Sequence, residues 1–343
     1  MNEIIMSPAE NLTFISSVWL WGLDVIRMIQ RIESPALTVL MKFITALGTE
    51  LLYFPLILVI YWLVNEKQGF RLGLFIIASV WINAFFKEMF KQPRPFHLEP
   101  SLGLVFERGY GAPSGHAQMA LCFWIFMALW LSGVWTKKTP GRNTFPVWIP
   151  AISFILLIGF TRLYLGVHFP TDLLAGWLLG GIILLLWFIP GARLEKLFAA
   201  AGVRPQNIAA AAIALAMNGL YPKDRILPAL MLGFCLGYTL MCKSFPFSAR
   251  GEINGKKPGP KVIFFRLFTG FAGLAVIYLA LKLLLPGEGS IILHPLWGPY
   301  SPLAEAARFI RYGLLGFWVS GGAPKVFGRM GLSFSEESRR EES

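Results

Sequence analysis

Residues 111–131 read GAPSGHAQMALCFWIFMALWL, a short polar motif marked by Pro113 that runs without a break into apolar residues. A bilayer core about 30 Å thick takes a helix of roughly 17 to 25 such residues, at a rise of about 1.5 Å each. Ser114, Gly115 and His116 therefore stand at the N-terminus of a helix long enough to enter a membrane. Runs of similar character recur at 44–64, 70–90, 117–135, 145–165, 173–190, 206–221, 226–242, 262–285 and 303–323. The expected fold class is all-α: a polytopic transmembrane helix bundle of about nine spans.

Composition agrees. Of 343 residues, 55% are hydrophobic and 15% charged, with 29 Phe and 12 Trp, which is too apolar for an ordinary soluble domain. The net charge of +12 would suit nucleic acid, but its distribution excludes that reading. Lys67 and Arg71, then Lys137, Lys138 and Arg142, then Arg193, Lys196 and Arg204 fall on alternate connections. So do Lys243, Arg250, Lys256, Lys257 and Lys261, and finally Lys325, Arg329, Arg339 and Arg340. The positive-inside rule makes those connections cytoplasmic, with the N-terminus outside and the C-terminus inside. The opposite set is poor in Lys and Arg, except where residues 87–116 and Arg162 gather several cations.

The first residues lack the pattern of a signal peptide, so 1–43 are read as an N-terminal segment of the mature chain. Within it, 14–32 form an amphipathic helix expected to lie in the membrane interface, Trp-rich on one side and bearing Asp24, Arg27 and Arg31 on the other. Residues 44–190 make the core, and 191–343 add further transmembrane helices and a cytoplasmic tail. Cys122, Cys235 and Cys242 lie inside spans without metal-ligand spacing and read as packing residues.

Three clusters share the outer side. In KEMFKQPRP (87–95), Lys87 and Lys91 lie on one helix face and the prolines hold Arg94 just past its end. The group suits either phosphate binding or headgroup anchoring by snorkelling. In the second cluster, Ser114, Gly115 and His116 open a helix whose unpaired N–H groups and positive dipole end favour an anion. Equally, Ser114 is a good N-cap residue beside an interfacial His116. In TRLYLGVHFPTD (161–172), the four-residue spacing of His168 and Asp172 lets the carboxylate fix one ring nitrogen and leave the other free; the plain alternative is a capping Asp beside an unrelated His. Lys87, Arg94 and Arg162 together can neutralise a phosphoryl group, and two histidines can attack phosphorus and protonate a leaving oxygen. No carboxylate cluster or His-rich site calls for a metal, and no cofactor is implied.

At these residues the sequence resembles the type 2 phosphatidic acid phosphatase superfamily. Its motifs are Lys, six spacers, Arg-Pro; Pro-Ser-Gly-His; and Ser-Arg, five spacers, His, three spacers, Asp. Lys87 with Arg94 and Pro95, Pro113 to His116, and Arg162, His168 and Asp172 match in order, with Thr161 in place of the usual Ser. The resemblance implies a phosphohistidine at His168, oriented by Asp172, with His116 as acid and then base. Lys87, Arg94, Ser114, Gly115 and Arg162 would hold the phosphate, and no metal or other cofactor would take part. The tract GTELLYFPL (48–56) and the helices after 190 look most like the sphingosine-phosphate phosphatase and glucose-6-phosphatase branches.

The leading expectation is thus a membrane phosphatase acting on a lipid phosphomonoester or diphosphate at the extracytoplasmic face, with membrane lipids as its surroundings and no nucleic-acid partner. A glucose-6-phosphatase-like hydrolase of a soluble sugar phosphate is the enzymatic alternative. A non-catalytic protein that binds or moves lipid phosphates is the alternative from another class. His97 reads as a solvated or headgroup-facing side chain, His294 as part of an interfacial aromatic loop, and Glu305, Arg308 and Arg311 as an ion pair group near the interface or a lining of the substrate entrance.

Overall fold

Apolar runs bounded by proline and glycine set the helix ends. The computed structural model describes residues 14–141, 143–251, 253, 257–285 and 302–333, so the expectations for His294, the 286–301 loop and the terminal tail lie outside the described residues. In order, the helices are α1 (Phe14–Gln30), α2 (Pro35–Ala46), α3 (Glu50–Val59) with a π-helical turn at Ile60–Val64, α4 (Glu66–Phe90), the short α5 (Pro95–Leu98), α6 (Gly115–Lys138) and α7 (Phe145–Tyr164). After them come α8 (Pro170–Phe188), α9 (Gly191–Ala200), α10 (Val203–Leu220), α11 (Ile226–Ser244), α12 (Pro260–Leu284), α13 (Pro302–Phe317) with a second π-helical turn at Trp318–Gly322, and α14 (Ala323–Arg329).

Among the described residues six helices are long and apolar enough to cross a membrane: Glu66–Leu98, α6, α7, α8, α11 and α12, or up to seven with the bent pair α2 and α3. Nine runs were expected, and three fall short for identifiable reasons. The 44–64 run is broken after α2, where the chain bends by 41° and Gly48 packs within 2.9 Å of Ile158, measured from an ideal Cβ. The 206–221 run is α10, whose first turns carry Arg204, Gln206 and Asn207. The 303–323 run is α13, only 16 residues long and bearing Glu305, Arg308 and Arg311 before the π turn.

The chain forms two compact units, Met1–Leu52 with Ile82–Leu184, and Tyr53–Trp81 with Leu185–Ser343. In the first, α6 and α7 pack through Ala120, Ile155 and Ile158, while Trp124 tilts onto Phe154. Small residues let α8 approach the start of α6: a Cβ on Gly176 would lie 2.6 Å from the Ser114 carbonyl oxygen. The expected amphipathic helix is present as α1, but one face is taken up by protein. Leu23 and Ile26 bury against Leu102 and Phe169, Trp19 stacks on Phe169, and the Gln30 amide donates to the Leu102 and Tyr164 carbonyls at 2.9 and 2.8 Å. Arg27 pairs with Asp24 and Glu99, while Leu20, Trp21 and Met28 stay exposed.

In the second unit α11 and α13 meet closely at Gly233, Gly237 and Gly316. The two π turns are tied together, Tyr61 Oη donating to Ser320 O at 2.8 Å and Trp62 Nε1 to Val319 O at 2.9 Å. Buried Arg266 donates to the Leu332, Trp62 and Ala249 carbonyls. Glu305 pairs with Arg308 at 3.3 Å as expected and also with Arg225 at 3.8 Å, whereas Arg311 donates to the Leu281 carbonyl at 3.5 Å. Exposed Leu178, Leu185, Phe264 and Phe268 give the helices the apolar outer faces that lipid requires.

The turn between α7 and α8 depends on Gly166, whose φ of +67° is left-handed and whose absent Cβ would fall 1.9 Å from the Leu102 carbonyl oxygen. Gly166→Ala is expected to cost about 2 kcal/mol or more of stability. Gly181→Ala, into open space on α8, should be neutral or slightly stabilising. Thermal unfolding in detergent reads both, and equal effects would contradict the assignment.

Candidate active site

Four helix ends deliver the site. α4 brings Lys87 near its C-terminus, α6 brings Ser114, Gly115 and His116 at its N-terminus, α7 ends on Arg162, and α8 carries Asp172 in its first turn. Arg94 caps α5, and His168 sits in the turn before α8.

The cations are held by neutral acceptors. Lys87 Nζ donates to the Tyr110 and Gly111 carbonyls at 2.8 and 3.3 Å. Arg94 donates to the carbonyls of Gly109 and Val167, each at 3.0 Å, and to that of Arg108 at 3.3 Å. Arg162 donates to the Thr45 hydroxyl at 2.7 Å. A carboxylate absent from the sequence reading joins the two guanidinium groups: Glu107 pairs with Arg94 at 3.0 Å and with Arg162.

His168 Nδ1 lies 3.3 Å from Asp172 Oδ2, which also accepts from the Phe169 backbone N–H at 2.9 Å. Arg94 reaches the other ring nitrogen, Nε2, at 3.3 Å. The His and Asp of the third cluster are thus partners, and the carboxylate anchors the turn as well. Ser114 takes the N-cap position of α6, yet its hydroxyl makes no cap bond and is buried without a hydrogen-bond partner among the described residues. The same is true of Arg162 Nε and Asp172 Oδ1. Buried polar atoms are rarely left unmatched, which makes the two donors, Ser114 Oγ and Arg162 Nε, candidate contacts for a polar ligand.

An ideal Cβ on Gly115 would sit 3.1 Å from Asn83 Oδ1 and 4.0 Å from Lys87 Cε, so the glycine keeps this side of α6 open. Asn83 is itself fixed by donating to Gln118 Oε1 at 2.8 Å. His116 is half-buried beside these groups. Lys91 turns away and is exposed, which separates it from Lys87 and Arg94 despite the shared helix face. His97 is exposed and accepts from the Arg94 backbone N–H at 3.1 Å, closing the cap of α5. The Thr161 hydroxyl donates to Ile158 O at 2.7 Å within its own helix.

Burial first, then Lys87, Arg94, Arg162 and His116, hold the His168 imidazole well below its ordinary value, and so neutral. Burial pushes the Glu107 carboxyl upward, but Arg162, His116 and Arg94 outweigh it and keep it ionised.

Fold and site together define an integral membrane protein with a cationic, half-enclosed cluster joined to a His–Asp pair. Residues 68–193 match the PAP2 superfamily, and residues 227–337 match the PAP2 superfamily phosphatase, transmembrane extension. The chain is 33% identical over 172 residues to phosphatidylglycerophosphatase B of Bacillus subtilis, covering 48% of this chain and 79% of that protein. It is 27% identical over 166 residues to undecaprenyl-diphosphatase of Sulfolobus acidocaldarius, covering 48% and 75%. A longer match, 24% over 320 residues, joins it to human sphingosine-1-phosphate phosphatase 2, covering 85% and 78%. The chain belongs to the PAP2 superfamily.

The His168 environment has a measurable consequence. In the unfolded chain a His takes up a proton below about pH 6.5, whereas native His168 stays neutral. Its contribution is therefore complete above that pH and is lost as pH falls toward the depressed native value. His168→Gln should flatten the loss of thermal stability between about pH 6.5 and 5; an unchanged slope would contradict it.

Proposed function

We propose that this membrane phosphatase hydrolyses a lipid phosphomonoester or diphosphate at the extracytoplasmic face, through a phosphohistidine and without a metal. The observation that carries the reading is His168, held by Asp172 on Nδ1 and facing Arg94 on Nε2. With the Nδ1 proton held by the carboxylate, the Nε2 lone pair is the nucleophile. A phosphate that takes over the Arg94 donor would bring phosphorus to that nitrogen. Lys87, Arg94, Arg162, the free Ser114 hydroxyl and the helix N-terminus at Gly115 then spread over its oxygens and stabilise charge in transfer. As the N–P bond forms, the P–O ester bond breaks, and His116 protonates the departing alkoxide. His116 next takes a proton from water, whose oxygen attacks phosphorus and releases phosphate with His168 restored.

A lipid suits the surroundings better than a sugar. Val18, Trp19, Phe90, Ala112 and Ala175, together with Gln92 and Thr171, line a mostly apolar depression of about 280 Å³ within the same unit. The phosphatidylglycerophosphate, undecaprenyl diphosphate and sphingosine phosphate named for several relatives join a phosphate to apolar chains, whereas two further relatives are named for glucose 6-phosphate, the sugar alternative. In this reading the α2–α3 pair, α10 and α13 complete nine crossings, and keeping the Lys- and Arg-rich connections inside puts the N-terminus and the four site-forming helix ends outside. The motif-bearing stretch 44–190 is the catalytic part, α1 lies at the outer interface, and 191–343 is its membrane extension.

In detergent with chelator present, the purified chain is expected to release phosphate from at least one of phosphatidic acid, phosphatidylglycerol phosphate, a sphingoid phosphate or a polyprenyl diphosphate. His168→Ala should reduce release to background, and Arg162→Ala should lower kcat/KM by about a hundredfold or more. Hydrolysis of glucose 6-phosphate alone would favour the sugar-phosphate reading, and release that requires a divalent metal would overturn the mechanism.

A further inference from the structure

Glu107 stands where the phosphatase reading places the substrate. Its two carboxylate oxygens are divided between cations from different elements, Oε2 on Arg94 and Oε1 on Arg162. Both guanidinium groups are nearly enclosed, with 4% and 1% of their side chains exposed, whereas Glu107 keeps 27%. Glu107 lies in the non-helical stretch between Gly103 and Ser114, so rotation of its own side chain is enough to carry the carboxylate away. The arginines keep their other partners when it leaves: the Gly109, Val167 and Arg108 carbonyls for Arg94, and the Thr45 hydroxyl for Arg162. Arg162 Nε and Ser114 Oγ, unmatched among the described residues, remain as further donors. A fixed cation pair bridged by a movable carboxylate is an anion subsite already holding an anion.

Charge decides what can exchange with it. With Glu107 in place, Lys87, Arg94 and Arg162 face Glu107 and Asp172, a formal balance of +1; with Glu107 displaced the balance is +2. A phosphomonoester carries a charge of about −1.5 to −2 at neutral pH and matches the vacated site. A phosphodiester carries a single charge, so it merely replaces one monoanion by another and also gives up the intramolecular advantage of the tethered carboxylate.

We propose that Glu107 is a built-in competitor for the phosphate subsite, displaced by doubly charged phosphomonoester ends and not by singly charged phosphodiesters. Glu107 thereby lets the enzyme reject the intact diester phospholipids that surround it in the membrane. The inference rests on the phosphatase reading of the site. It differs from a purely structural strut between the arginines in the direction of its effect, because removing a competitor tightens anion binding and removing a strut loosens it.

Full-length chain carrying His168→Ala, which blocks turnover, would be titrated calorimetrically in detergent with methyl phosphate and with dimethyl phosphate. Glu107→Gln is expected to tighten methyl phosphate and dimethyl phosphate alike, each by about tenfold, the factor for a site otherwise open about one-tenth of the time, and so to bring dimethyl phosphate into the measurable range. Glu107→Asp, still charged but too short to span both arginines, should shift both in the same direction and serves if the Gln variant does not fold. Weaker or unchanged binding of both anions, or a parent chain that binds dimethyl phosphate as tightly as methyl phosphate, would overturn the proposal. A parent chain that binds methyl phosphate yet hydrolyses no lipid phosphate would instead sink the proposed activity alone.

Discussion

Burying positive charge at the ends of apolar helices is the constraint around which the first unit is arranged. An isolated cation removed from water costs several kcal/mol even after relaxation, so Lys87, Arg94 and Arg162 persist there only because each is given oxygen partners. Most of those partners are neutral: carbonyls of residues 108–111 and 167, and the Thr45 hydroxyl. Neutral acceptors satisfy the N–H groups without cancelling the charge. The loop between α5 and α6 therefore has a definite task, to turn its carbonyls inward, and Gly109 with its φ of +79° helps it do so.

The same constraint connects the turn that holds His168 to α1. Val167 lends its carbonyl to Arg94, Phe169 lends its N–H to Asp172, and His168 is fixed between them. Phe169 is in turn pressed by Leu23 and Ile26 and stacked on Trp19. Gln30 links the carbonyl of Tyr164, at the end of α7, to that of Leu102. Movement of α1 would thus reach the imidazole through one intervening residue. A helix that looks from its amphipathicity like a surface anchor is part of the support for the site.

What was legible in the sequence follows from which signals are periodic or short-range. The spans were visible because lipid demands long apolar runs, and the three clusters because Lys87 to Pro95, Ser114 to His116 and His168 to Asp172 each keep their chemistry within a few residues. Glu107 carried no such mark. It lies in an irregular loop, seven residues before Ser114, and its meaning comes from two arginines brought to it by tertiary folding. Thr45 was hidden for the same reason, being one polar residue at the start of an apolar run. Lys91 shows the converse, since helical spacing from Lys87 suggested a shared role, while α4 ends at Phe90 and the positive φ of Lys91 turns it outward. Apolarity likewise reports that a segment is membrane-like but not that it is straight, which is why the break beside Gly48 was not foreseen.

Enclosure of the cradle is uneven, and the unevenness fits two-step phosphoryl transfer. His168 and Asp172 are almost wholly buried, at 1% and 0% exposure, while His116 and Glu107 are half-open. In the proposed mechanism, His168, surrounded by cations and kept from water, stays neutral and meets only a ligand held among them. The group that exchanges protons with a leaving oxygen, and later with water, needs contact with the wet side. The proposed two-step transfer would serve both demands with His168 behind the phosphate and His116 in front of it. A helix N-terminus facing the end of another helix supplies such a pair of depths, with Gly115 keeping the space between them free for the anion.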